Sequence, residues 1–143
     1  MTRPAPSSKP LAQKLGVKPN QTLRVFHAPE HILGMLEPMP AGARLELAQD
    51  GVFDVVLAFA ADQAALREAA ADAIPASDSG KTALWIAFPK GSSKLQTDIT
   101  RDRGWDPVWD RGLEGVSLVS VDDTWSAMRF RPATGDPHRR AAS

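Results

Sequence analysis

The stretch "FDVVLAF", residues 53–59, decides the fold class because it is almost entirely apolar. Such a strand is typical of a parallel sheet covered on both faces, since a half-exposed strand would alternate apolar and polar residues. A second apolar stretch, "ALWIAF", follows at residues 83–88. Between them, residues 63–73 are rich in alanine and follow Asp62, which predicts a helix with an aspartate N-cap. The order strand, helix, strand predicts parallel strands joined by a right-handed crossover.

The flanking segments extend this sheet on both sides. Further stretches have strand character, at residues 22–26, 43–48, 116–121 and 125–131. Helix character is found at residues 11–15, 29–36 and 97–103. The last two strands are joined by Asp122, Asp123 and Thr124, which predicts an antiparallel hairpin. Together these elements predict a three-layer Rossmann-like α/β domain, mostly parallel, with a C-terminal antiparallel hairpin.

Domain organisation follows from length and from the ends of the chain. A chain of 143 residues is typical of one domain. Residues 1–10 hold three prolines and two serines, which predicts a disordered N-terminal lead. The sequence of residues 132–143, "PATGDPHRRAAS", predicts a disordered C-terminal tail. Residues 11–131 then form a single α/β domain.

Composition excludes several classes of protein. The chain has 17 Lys and Arg against 17 Asp and Glu, and this balance argues against a nucleic-acid partner. Its apolar runs are too short to span a membrane, and its N-terminus lacks the apolar core of a signal peptide. Cysteine is absent, so neither disulfides nor thiol chemistry is expected. A cytoplasmic protein fits these features.

A possible zinc motif lies in "VFHAPEHIL", residues 25–33, where His27, Glu30 and His31 give the pattern H-x-x-E-H. That motif needs both histidines on one helical face, but Pro29 belongs at the start of a helix and not in its interior. His27 is therefore expected at the end of a strand, away from His31. A zinc hydrolase remains only a remote alternative, and we expect no metal.

The element order, with an antiparallel hairpin last, resembles the sheet of class I methyltransferases. The chain also resembles a bacterial family of small uncharacterised proteins with a domain of unknown function. The motifs that carry this second resemblance are "KLGVKP" (14–19), "APE" (28–30), "WIAFPK" (85–90) and "VDDTWSAMRF" (121–130). The family usually has Asn in place of His27. The resemblance implies a fold but no activity.

The turn after the first strand, residues 27–30, contains no glycine. Dinucleotide-binding and methyltransferase sheets use glycine there because it lets the backbone approach the ligand, and Pro29 removes a backbone donor besides. We therefore expect neither adenosylmethionine nor NAD as a cofactor, and no catalytic residue is assigned.

A ligand, if one binds, should lie at the carboxyl ends of the strands. The candidate residues are found after the first strand and after the strand at residues 83–88: His27, Pro29, Glu30, Lys90, Ser92 and Ser93. The last three precede a predicted helix and would suit a small anion. In the alternative, Ser93 or Thr97 caps that helix.

Two further features have open interpretations. Asp122 and Asp123 are expected to make turn hydrogen bonds instead of a metal site. Trp105 and Trp109 either cover the core or form an exposed apolar patch for a partner.

These observations favour a non-enzymatic Rossmann-like interaction or regulatory module. Its partner would be an unidentified protein or a second copy of the chain paired through the edge of the hairpin. The alternative is a small-molecule or anion-binding domain, such as a degenerate methyltransferase.

Overall fold

The computed structural model describes residues 10–46, 51–78, 81–91 and 97–133. The strands of the described residues are β1 Thr22–Phe26, β2 Arg44–Glu46, β3 Val55–Phe59, β4 Ala83–Pro89, β5 Leu113–Ser120 and β6 Trp125–Pro132. The helices are α1 Leu11–Lys14, α2 Glu30–Met35, α3 Gln63–Ala73 and α4 Asp106–Trp109.

Within these residues the strands form one sheet in the order β2-β1-β3-β4-β6-β5. Strands β2, β1, β3 and β4 run parallel, whereas β6 pairs antiparallel with both β4 and β5. The prediction of a mostly parallel Rossmann-like sheet that closes on an antiparallel hairpin is confirmed. The hairpin is longer than predicted, because β5 begins at Leu113 and β6 continues to Pro132.

The central strand β3 is buried along its whole length, as its composition predicted. Its alternate side chains enter two different cores: Val56 and Ala58 pack towards α3 and α4, and Val55, Leu57 and Phe59 pack towards α1 and α2. Each face of the sheet is thus covered by helices, which gives three layers.

Helix α3 begins and ends where the sequence predicted. The Asp62 Oδ1 atom accepts a hydrogen bond from the Ala65 backbone N–H at 2.8 Å, which is the expected N-cap contact. Leu66, Ala69, Ala70 and Ala73 form its buried side. The small alanines let the helix lie close to the sheet.

The polar helix predicted at residues 97–103 is wrong. The segment forms irregular turns in which the Thr100 N–H donates to the Arg103 carbonyl, and the Asp98 side chain bonds to α3 instead of to its own segment. Gly104 has φ +90°, and a Cβ at this position would lie 2.7 Å from the Asp98 carbonyl oxygen. The chain therefore folds back tightly on itself at Gly104 and does not continue as a helix.

Trp105 belongs to the core. Its side chain is fully buried, lies edge-on to Phe88 with ring centroids 5.2 Å apart, and donates from Nε1 to the Thr100 carbonyl at 2.7 Å. Trp109 is only partly buried against the same core. This segment, which lies outside the helices that the sequence predicted, contains the short helix α4.

The predicted disordered ends fall mostly outside the described residues, which leave out 1–9 and 134–143. No helix of the described residues combines the length and apolarity needed to cross a membrane.

We expect the change Trp105→Ala to lower the free energy of unfolding by about 3–5 kcal/mol, because it removes a large buried ring and its hydrogen bond. The matched change Trp109→Ala should cost less than half as much, since that ring is partly exposed. Urea unfolding followed by circular dichroism measures both losses, and equal losses would contradict the core position of Trp105.

Candidate functional site

The sheet has a topological switch point between β1 and β3. From β1 the chain passes outward to β2 and then returns to β3 on the other side. The connections after β1 and β3 therefore leave in opposite directions, and a crevice opens between them at the carboxyl ends of the strands. Ligands of open α/β sheets bind at this place.

A crevice of about 270 Å³ is present at this switch point. Phe59 and Trp125 form an apolar wall, with their rings in an edge-to-face contact at 5.1 Å. Ala61 and Ala65 add a small-residue surface, and the remaining lining residues are His27, Ala28, Pro29 and Glu68. The crevice is therefore mainly apolar, with an imidazole and a carboxylate as its ionisable groups.

His27 occupies the first position after β1 with φ +58°, in the left-handed region that favours glycine. The turn thus has a backbone conformation that glycine adopts freely, but it carries an imidazole. The His27 Nε2 atom lies 2.7 Å from Asp72 Oδ2 on α3, and both side chains are about half exposed. This contact holds the imidazole between the end of β1 and α3.

The N-terminus of α3, beside the crevice, already binds carboxylates of the protein. Asp62 accepts from Ala65, and Asp98 Oδ1 accepts from the Gln63 backbone N–H at 2.8 Å. Gln63 Nε2 also donates to the Asp98 carbonyl at 3.2 Å. Because these carboxylates use backbone donors that would otherwise suit an anion, an external phosphate or carboxylate is disfavoured there.

His31 lies on α2 and contacts a different carboxylate from His27. Its Nε2 atom is 2.9 Å from Asp122 Oδ2, while Asp122 Oδ1 accepts from the backbone N–H groups of Thr124 and Trp125, each at 2.8 Å. Asp122 thereby joins α2 to the β5–β6 turn. The turn hydrogen bonds expected of this residue are present.

Burial of Asp122 raises its pKa, but the hydrogen bonds from His31, Trp125 and Thr124 outweigh this and hold the pKa below its ordinary value. The ionised carboxylate is thus the form that the fold stabilises.

The H-x-x-E-H pattern does not bring its residues together. His27 and His31 bind separate aspartates, and Glu30 is an exposed residue in the first turn of α2. Within residues 10–46, 51–78, 81–91 and 97–133, no group of three side chains could hold a metal ion. Pro29 is the N-cap of α2, which places His27 off the helix, as the sequence indicated.

The predicted ligand residues separate into three groups. His27 and Pro29 line the crevice, whereas Glu30 and Lys90 are not among its described lining residues. Lys90 Nζ donates to Ser120 Oγ at 2.7 Å, towards β5. Ser92 and Ser93 lie outside the described residues, so the six-residue site remains a prediction.

Sequence reasoning missed Glu68 and Asp72 at this site. Both lie on exposed positions of α3, more than forty residues from His27, where a charged residue is unremarkable. The spacing of apolar residues along α3 predicted which side of the helix faces the sheet. That spacing does not indicate which polar residue contacts the turn after β1.

The fold is that of class I methyltransferase-like Rossmann domains. The chain is similar to a ribosomal protein L11 methylase from Lactobacillus delbrueckii subsp. bulgaricus, with TM-score 0.55 and 11% identity, over 85% of this chain and 74% of that one. It is also similar to a SAM-dependent methyltransferase from Aquifex aeolicus, with TM-score 0.51 and 8% identity, over 82% and 85% of the two chains.

A third similar structure is a protein of the NADB-Rossmann superfamily from Streptococcus agalactiae, with TM-score 0.52 and 9% identity, over 92% of this chain and 72% of that one. At these identities the likeness establishes the fold alone. No protein-family model matches the chain, and no curated protein matches it.

The change Asp122→Asn should lower the free energy of unfolding at pH 7 by about 1 kcal/mol, because Asn retains an oxygen for the turn but loses the charge facing His31. The pKa of Asp122 is lower in the folded protein than the ordinary carboxyl value of 3.8. The ionised carboxylate therefore contributes its full share to the stability of the fold above pH 3.8, and this contribution is lost as the pH falls through the pKa that Asp122 has in the folded state. Denaturant titrations from pH 7 to pH 2.5 should show wild type and variant converging.

The exposed neighbour Asp123 provides the control for this experiment. Asp123→Asn should leave the stability profile close to that of wild type. A constant difference between wild type and Asp122→Asn over the whole pH range would contradict the role of the ionised Asp122.

Proposed function

We propose that this chain is a methyltransferase-like domain that does not transfer methyl groups and acts as a binding or regulatory module. The observation that carries the proposal is the turn after β1. His27 and Pro29 occupy the place where a cofactor-binding turn would have glycines, and His27 is held across it by Asp72.

Size and charge of the crevice support the same conclusion. Small-molecule sites usually enclose roughly 300–1,000 Å³, and the crevice of about 270 Å³ falls below that range. Glu68 in its lining and the Asp62 and Asp98 carboxylates at α3 make the surroundings acidic. A nucleotide or an amino-acid carboxylate would meet like charge in this crevice.

The surface that favours a protein partner is the free edge of β5. Within the described residues β5 pairs only with β6, so its other edge offers backbone donors and acceptors. Val116 and Leu118 are 40% and 45% exposed on this strand. An exposed edge with apolar side chains favours pairing with another strand, and a second copy supplies an identical edge.

Wild-type protein should show no melting-temperature shift and no calorimetric heat with adenosylmethionine, adenosylhomocysteine or NAD at 1 mM, because the turn and the crevice cannot accept them. An active class I methyltransferase in the same buffer serves as the positive control. A Kd below about 100 µM for any of the three, at the tightness usual for cofactor sites, would overturn the proposal.

A second candidate function is small-molecule binding in the crevice itself, which the Phe59–Trp125 wall and Glu68 favour. The ligand would be a small aromatic molecule, uncharged or cationic. A melting-temperature rise with such a compound that Glu68→Gln reduces would support this candidate, and no response across aromatic amines and amides would exclude it.

For self-association, light scattering of the full chain at 100 µM should give the mass of a dimer. Leu118→Lys should weaken the dimer at least about tenfold, because a charged residue on an edge strand opposes pairing. Val52→Lys is the matched control, since Val52 is also an exposed apolar residue, at 58%, but lies outside β5. A wild-type monomer, or equal weakening by both changes, would contradict pairing through β5.

A further inference from the structure

A larger cavity, of about 410 Å³, lies at the opposite end of the sheet from the crevice, where β4 begins and β6 ends. Its wall is completed by Ile74 after α3, by Arg111 before β5 and by four residues before β4: Ser77, Asp78, Lys81 and Thr82. Its volume is within the usual range for small-molecule sites. Because it lies at the amino end of β4, it is separate from the switch-point crevice.

The lining includes a continuous apolar surface. Leu84 on β4 and Phe130 on β6 are direct partners across the two strands and are 3% and 2% exposed. Ile74 and Leu113 pack partly buried against the same core, and all four residues line the cavity. An apolar body, such as an aromatic ring or a short acyl chain, would be desolvated against them.

The charged residues of the lining are strongly unbalanced. Lys81, Arg111, Arg129 and Arg131 stand against the single carboxylate of Asp78. The whole chain has no net charge, so this positive surplus is local. A cavity lined by one sign of charge next to low-dielectric walls concentrates ions of the opposite sign.

In the part of the chain that the structure describes, few carboxylates neutralise these cations. Arg131 Nε lies 3.7 Å from Glu114 Oε2, which offsets one of the four charges. For Lys81, Arg111 and Arg129, no ion pair is present within the described residues. All three are exposed, so they can rearrange around a ligand at little cost to the fold.

We propose that this cavity binds a small organic anion in which a carboxylate or phosphate is joined to an apolar body. The cations attract and bind the charged group, and Leu84, Phe130 and their neighbours accept the apolar part. A cavity of this size with an apolar floor suits such a molecule better than a nucleic-acid backbone, which needs an extended basic face.

Phenyl phosphate is the test ligand, with inorganic phosphate and phenethylamine as matched probes that each lack one half of the proposed chemistry. Calorimetry and NMR titration of the full chain should give a Kd for phenyl phosphate at least about tenfold lower than for phosphate, because the ring adds apolar burial. Phenethylamine should not bind in this cavity and should leave the NMR signals of its lining residues unshifted. On addition of phenyl phosphate, the NMR signals that shift should include those of Leu84 and Leu113.

The double change Lys81→Gln and Arg111→Gln should weaken phenyl phosphate binding about tenfold or more, because it removes two exposed cations of the lining. Lys18→Gln removes a cation outside the cavity and should leave binding unchanged. Melting temperatures of both variants, expected within 2–3 °C of wild type as for most surface changes, exclude unfolding as the cause. The proposal is overturned by equal binding of all three probes, by equal effects of both variants, or by shifts confined to residues outside the cavity.

Discussion

The whole structure depends on the complete burial of β3. Every side chain from Val55 to Phe59 is excluded from solvent, so alternate residues need an apolar layer on each face of the sheet. Helix α3 supplies one layer, and α1 and α2 supply the other. Because β3 is central, the neighbouring strands are covered by the same two layers of helices. Polar and charged side chains are therefore found mainly at the two ends and the two edges of the sheet.

The two ends of the sheet then differ in their charge. At the carboxyl ends of β1 and β3, histidines and acidic side chains bind each other, as His27 with Asp72 and His31 with Asp122. At this end of the sheet the described histidines and aspartates thus bind groups of the protein itself. At the amino end of β4, basic residues line a cavity and have few partners of opposite charge among the described residues.

The sequence predicted β3, α3 and β4 closely because their signals are local. Continuous apolar runs mark the two strands, and Asp62 with the alanine period marks the helix. Prediction failed at residues 97–103, where polar residues and a following glycine look like a helix and its stop. The Asp98 side chain is used instead by the first turn of α3, 35 residues away, and no local pattern records that contact. The same reason applies to the crevice. The strand end locates His27 and Pro29 beside it, but the positions of Glu68 and Asp72 depend on tertiary packing, and ligand binding by the predicted residues stays a prediction.

The short helix α1 shows how the start of the described chain is fixed. Lys14 Nζ donates to the Ser120 carbonyl at 3.0 Å, and Trp85 Nε1 donates to the Leu15 carbonyl at 2.9 Å. Leu11, Ala12 and Leu15 are buried, but this segment takes part in no strand pairing of the sheet. This segment can therefore detach without breaking any strand pairing. Its release would leave the sheet paired, but it would expose the core face around Trp85 and remove the Lys14 hydrogen bond to the Ser120 carbonyl.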